Sequence, residues 1–176
     1  AGFTHWAKLN NLKQAAKTMN FLTEHGISSY GELESKLNAV SARRDTAHAE
    51  IKRIESRSAE LALVMKHAGT YRQLKPLYDR YRKSNDKEKF LRGHESEIIL
   101  FEAAARELKR LGTVPLPTTE SMKTELANLN AEKERLLAEY KAARTEAQEY
   151  DTVKQNVDAL LTVAKEQEQQ RRHELE

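Results

Sequence analysis

Residues 33 to 68 read "LESKLNAVSARRDTAHAEIKRIESRSAELALVMKHA". The stretch decides the fold, because its apolar residues recur every three or four positions. Positions 33, 37, 40, 44, 47, 51, 54, 58, 61, 65 and 68 are Leu, Leu, Val, Arg, Ala, Ile, Ile, Ser, Leu, Met and Ala. Nine of these eleven are apolar. A stripe with that period lies on one side of an α-helix and needs a partner of the same kind. A start signal precedes it: Ser29 and Glu32 have the spacing of a capping box. The predicted helix covers 29–69, ending at Gly69.

A second stripe of the same period begins at Met122. Positions 122, 126, 129, 133, 136, 140, 143, 147, 150, 154, 157, 161 and 164 are apolar except for Lys133 and Lys154. Thr118 or Thr119 is placed to cap this helix, predicted over 118–170, and the Glu/Gln/Arg-rich end after Lys165 is expected to fray. Two long stripes in one chain are buried most simply as an antiparallel hairpin, a stalk of about 50 to 60 Å at 1.5 Å per residue. Alanines in both stripes favour close antiparallel packing. A parallel homodimer through either stripe stays open as the rival arrangement.

The segments outside the stripes complete an all-α fold. Residues 3–26 carry Trp6, Leu9, Leu12, Ala16, Met19 and Leu22 at helical spacing, with Gly26 placed to end the helix. This helix is expected to pack at the base of the stalk. Residues 70–117 form the expected head. Thr70 and Gln73 suggest a restart at Tyr71, and Pro76 a kink or a later start. After Ser84–Asp86 a further helix carries Leu91, His94, Ile98, Phe101, Ala105 and Leu108. Gly93 weakens this helix without necessarily breaking it. "GTVPLPTT", 112–119, is the clearest loop. The whole is read as a single domain.

Composition agrees and narrows the function classes. The chain has 176 residues, 39% hydrophobic and 32% charged, with mean hydropathy −0.79, six Gly and three Pro. This is the composition of long helices. With no cysteine, disulfides, thiolate metal sites and cysteine nucleophiles are excluded. That fits a reducing, cytoplasmic setting. No apolar run of about 18 residues predicts a membrane span. The chain begins Ala1-Gly2 and ends Leu175-Glu176, which suggests a piece of a longer protein. The six histidines, at 5, 25, 48, 67, 94 and 173, make no H-E-x-x-H or H-x-H pattern. No phosphate loop, dinucleotide fingerprint or nucleophile elbow occurs. The sequence therefore points to no catalytic residue, no metal and no cofactor.

The remaining signal is charge. Residues 71–92 hold eight Lys or Arg against three Asp or Glu, net +5, where the whole chain is +3 and the remainder −2. On a helical wheel Tyr71, Leu74, Leu77, Tyr78 and Tyr81 share one side, with the basic residues broadly opposite. The tyrosines are thus expected inside. Arg72, Lys75, Arg80, Arg82, Lys83, Lys87, Lys89 and Arg92 are the candidate DNA contacts. Such a cluster suits phosphates and carries no base readout. The bland alternative is a solvated helix face.

Three stretches, "NLKQAAKTMNFLTEHGISSYGELESKL", "YRKSNDKEKFLRGHESEIILFEAAARELKRLG" and "AEYKAARTEAQEYDTVKQNVDALL", resemble the region after the nuclease domain in relaxases of mobilisable and conjugative elements of Gram-positive bacteria. Relaxases nick one DNA strand at a transfer origin with a tyrosine, aided by a histidine-bound metal. They stay attached as the strand enters a secretion channel. The resemblance implies a noncatalytic accessory role, either added grip on transfer-origin DNA or docking of the relaxosome or coupling protein. The nuclease motifs precede this region in the family. No catalytic residue carries over, and Tyr30, Tyr71, Tyr78, Tyr81, Tyr140 and Tyr150 sit at structural positions. The competing expectation is a coiled-coil protein-interaction module that never touches DNA.

Overall fold

A computed structural model describes residues 2–113 and 115–174, with side chains described from residue 11 onward. Among the described residues every regular element is an α-helix: α1 (Gly2–Glu24), α2 (Tyr30–Lys83), α3 (Lys87–Arg110) and α4 (Thr119–Glu174). The contacts divide into two compact units, residues 1–49 with 136–176 and residues 50–135, where the sequence suggested a single domain.

In the first unit α2 and α4 run antiparallel. Tyr30 Oη donates to Asp158 Oδ1 at 2.6 Å, Arg43 meets Glu146, and the rings of His48 and Tyr140 lie 5.6 Å apart. Positions rise on one helix as they fall on the other. Leu33, Val40, Ala147, Tyr150 and Val153 form the core, covered by Phe21, Leu22 and Ile27 from the α1 side. Ala143 is fully buried and Ala47 is 3% exposed. Side chains that small let two helix backbones approach closely.

The second unit repeats the antiparallel pairing. Lys133 Nζ lies 2.9 Å from Glu55, Arg57 Nε donates to Glu125 at 2.7 Å, and Leu61, Val64 and Ala68 pack with Met122 and with Leu108 of α3. Every stripe position of α2 is buried or half-buried, Arg44 and Ser58 included. On α4 the same holds from Met122 to Val157. Both stripes are thus used within the chain. Leu161 is 47% exposed and Ala164 is exposed, contrary to expectation. The reason is length: α2 starts at Tyr30, opposite Asp158, so nothing on α2 reaches past that level. The α4 helix extends to Glu174, with Arg172 and Glu168 paired at 2.7 Å one turn apart.

Local signals account for most helix ends. Ser29 Oγ accepts from the Glu32 N–H at 3.2 Å, while the Glu32 carboxylate accepts from the Ser28 N–H at 2.6 Å and the Ser28 hydroxyl at 2.9 Å. The box closes one residue earlier than its simplest form. Those Ser28 bonds, first the backbone N–H, hold the Glu32 carboxyl below its ordinary value. Gly26 and Gly112 both have positive φ, +62° and +68°. At each, the following N–H reaches five residues back, Ile27 to Leu22 at 2.8 Å and Thr113 to Leu108 at 3.1 Å, closing a Schellman turn. Thr118 caps α4, its Oγ1 accepting from the Ser121 N–H at 3.1 Å.

Three expectations change. The predicted break at Gly69 and restart at Tyr71 do not occur: α2 runs unbroken through Gly69 and Pro76. Proline removes one backbone donor and glycine weakens a helix by about 1 kcal/mol, but packing of a 54-residue amphipathic helix outweighs both. The break falls instead in α3, where His94, after Gly93, has φ −142° and ψ 24°. On α1, Leu12 and Met19 are 68% and 58% exposed, while Thr18 is buried and Phe21 and Leu22 are half-buried. That face joins the core through Phe21 and Leu22 and carries a polar set: Gln14 Nε2 donates to Asn156 Oδ1 at 2.7 Å, and Asn156 Nδ2 donates to Thr18 Oγ1 at 3.2 Å. Trp6 and Leu9 fall outside the described side chains, and Leu175–Glu176 outside the described residues.

Two substitutions test this fold. An added Cβ at Gly69 meets nothing within 4 Å. Gly69→Ala should therefore stabilise the chain by roughly 0.5–1 kcal/mol in urea unfolding, whereas a helix break at that point predicts no gain. Ile54 is fully buried and Ser56 exposed. Ile54→Asp should cost at least about 3 kcal/mol and Ser56→Asp less than about 0.5 kcal/mol. Equal thermal melts for the two would place the stripe on the wrong face.

Candidate nucleic-acid interface

The basic stretch lies in the second unit, on the end of α2, the three-residue corner Ser84–Asp86 and the start of α3. Asp86 caps α3, accepting from the Lys89 N–H at 3.0 Å, and its own N–H is held by Ser84 Oγ at 3.2 Å. The corner turns α3 back along α2. Ring contacts record the pairing: Tyr81 with Phe90 at 6.0 Å, Tyr78 with Phe101 at 4.2 Å and Tyr71 with Phe101 at 4.8 Å. The last two are stacked, and Phe101 is 6% exposed.

All three tyrosines are half-buried, as the helical wheel predicts. Tyr78 Oη donates to Glu102 Oε1 at 3.3 Å. Burial, followed by the Glu102 charge, pushes the Tyr78 phenol above its ordinary value. Phe90 also meets His94 at 4.9 Å, which extends the ring row to the α3 break. There His94 Nδ1 is buried without a hydrogen-bond partner among the described residues, 3.5 Å from Glu97 Oε1. That separation lies within ion-pair range but lacks hydrogen-bond geometry.

The eight candidate cations divide into two groups. Arg72 turns towards the start of α4, where its guanidinium donates to Thr119 Oγ1 at 2.7 Å and to the Pro117 carbonyl. It ties the α3–α4 loop down, through partners that carry no charge. Lys75 Nζ sits 2.8 Å from Asp79 Oδ2. Their hydrogen bond comes first among the causes that raise the Lys75 ammonium and lower the Asp79 carboxyl from ordinary values, so both stay charged and neutralise each other at neutral pH. Arg80, Arg82, Lys83, Lys87, Lys89 and Arg92 are all exposed. Among the described residues none of these six has a side-chain hydrogen bond or ion pair, although Arg82 and Lys83 lower Asp79 through space.

Sequence spacing revealed the cluster but not how Arg72 and Lys75 are engaged. Asp79 is four residues from Lys75, a spacing that signals an ion pair. The Arg72 partners are 45 and 47 residues away and leave no local signal.

Elsewhere, an open groove of about 500 Å³ between α1 and α4 is floored by Gln14, Thr18 and Asn156, which are already bonded to one another. Among the described residues no three His, Asp or Glu side chains converge as metal ligands, and no helix is long and apolar enough to cross a membrane. Comparison with protein-family models, with characterised proteins and with solved structures finds no match for the chain.

The two groups of cations separate by experiment. Arg72→Gln should lower stability by about 1 kcal/mol in urea unfolding, because two charge-assisted bonds between distant segments are lost. Arg82→Gln should change it by less than about 0.5 kcal/mol. Equal effects would mean that Arg72 is only a solvated side chain.

Proposed function

We propose that this chain is a noncatalytic helical region that adds a weak, sequence-indifferent grip on DNA to a larger, relaxase-type protein working in the cytoplasm. One observation carries the reading: six exposed cations, unpaired among the described residues, gather at the α2–α3 corner. Arg80, Arg82 and Lys83 occupy the last turn of α2, where positive charge also suits the helix dipole. Lys87 and Lys89 have no such excuse. They stand in the first turn of α3, where the dipole disfavours cations by about 0.3–1 kcal/mol each. Asp86 already occupies the cap there, so helix stability alone does not account for Lys87 and Lys89, whereas a phosphate backbone gains from their charge. The likeness to the region after the relaxase nuclease domain supports the same reading.

Lys75 drops out of the contact set, its charge paired with Asp79, while Arg72 is held in place by Thr119 and the Pro117 carbonyl. The grip is electrostatic. Flexible cationic stems reach phosphates without reading base edges, so affinity is expected to be nearly independent of sequence.

A second reading rests on Ile99 and Leu100 of α3, which are 57% and 55% exposed beside the buried Ile98 and Phe101. A helix apolar on all sides at one level normally has a neighbour on each. A relaxosome or coupling protein docking on that face is the alternative role, and it needs no DNA contact.

Fluorescence anisotropy with a labelled duplex at two salt concentrations tests the first reading. Binding should weaken by about 0.9 log unit per log unit of salt for each phosphate neutralised. Arg80→Glu, Lys83→Glu and Lys87→Glu together should abolish it with unchanged circular dichroism. Equal binding by wild type and the triple variant, or no binding at low salt, would favour protein docking.

A further inference from the structure

We infer that the α2–α3 corner selects duplex DNA over single strands, an inference that rests on the DNA-binding reading above. Proteins that hold single strands combine positive charge with exposed aromatic rings on which unpaired bases stack. The basic corner has aromatic residues in abundance, but their rings are engaged with each other. Tyr71 and Tyr78 stack on Phe101, Tyr81 lies between Tyr78 and Phe90, and Phe90 meets His94. None of the five Tyr and Phe residues of this unit is exposed. Opening a ring for a base would dismantle the α2–α3 contact that forms the corner.

With stacking excluded, charge density decides between the two forms. A duplex presents one phosphate per roughly 1.7 Å of axis and releases more counterions per contact than a single strand, with salt slopes of about 0.9 against 0.7 per phosphate. Cations rising from two helix ends meet a closely spaced, stiff phosphate lattice in a duplex. On a single strand they must order a flexible one without any base contact in return. The ring row therefore acts as a filter: it removes the interaction that makes single strands competitive.

The experiment measures anisotropy of the whole 176-residue chain with a labelled duplex and with its labelled single strand of equal length at low salt. The duplex should bind about tenfold more tightly, with a steeper salt dependence. Both affinities should be lost in the Arg80→Glu, Lys83→Glu, Lys87→Glu variant. A single strand bound as tightly as the duplex, and lost in the same variant, overturns the selectivity and leaves the DNA-binding reading standing. Absence of binding to either form, or indifference to the triple reversal, overturns both.

Discussion

The antiparallel contact between α2 and α4 is the constraint on which the rest depends. Each helix carries an apolar stripe far longer than a lone helix can leave in water, and within each unit the opposing stripe covers it. Alanine at 47, 68, 143 and 147 keeps the backbones close. Where α2 ends its cover, burial on α4 ends too, so Leu160, Leu161 and Val163 face water. The other two helices fill the sides left over: α1 against α4 in the first unit, α3 against α2 in the second.

Charge follows the same division. Arg43, Arg57 and Lys133 reach across to carboxylates on the opposite helix. Lys154 meets both Glu34 and Asp158. Its ammonium is raised well above its ordinary value, first through Tyr30 and then Asp158, and it lies 5.2 Å over the Tyr30 ring. Individually such partly exposed pairs contribute little to stability. Together they favour one register, because a slip would set these cations against the wrong partners. Among the described residues the six exposed corner cations have no carboxylate within ion-pair distance, although Arg82 and Lys83 act on Asp79 through space.

Polar groups refine what burial leaves loose. Thr18 is a buried polar residue of α1, and Asn156 links it to Gln14. A hydrogen-bonded set of this kind penalises sliding or rotation of α1 more sharply than apolar contact does. In α3 the break at His94 lets a short first segment hold Phe90 near Tyr81 while the second keeps Phe101 between Tyr71 and Tyr78. The corner and its ring row are thus one construction.

The sequence by itself determined the helical class, the α2 stripe in full and the α4 stripe as far as Val157, because burial periodicity is a local property of one helix. It also located the end of α1 at Gly26, the loop that opens at Gly112 and a cap at Thr118 or Thr119, of which Thr118 makes the bond; each is encoded within a few residues. Only the tertiary structure decided which face of α1 is covered. The apolar stripe through Leu12 and Met19 was the stronger local signal, yet the covered face is the one with Phe21 and Leu22 on the core and a side-chain hydrogen bond from Gln14 to a residue 142 positions away. Tertiary packing likewise carried α2 through Gly69 and Pro76, where local propensity favours a stop. It also fixed the direction of the Arg72 side chain, through partners on α4 and the loop before it that no helical wheel of residues 71–83 contains. Local pattern measures what a segment prefers alone; long-range contact energy decides which of those preferences the folded chain keeps.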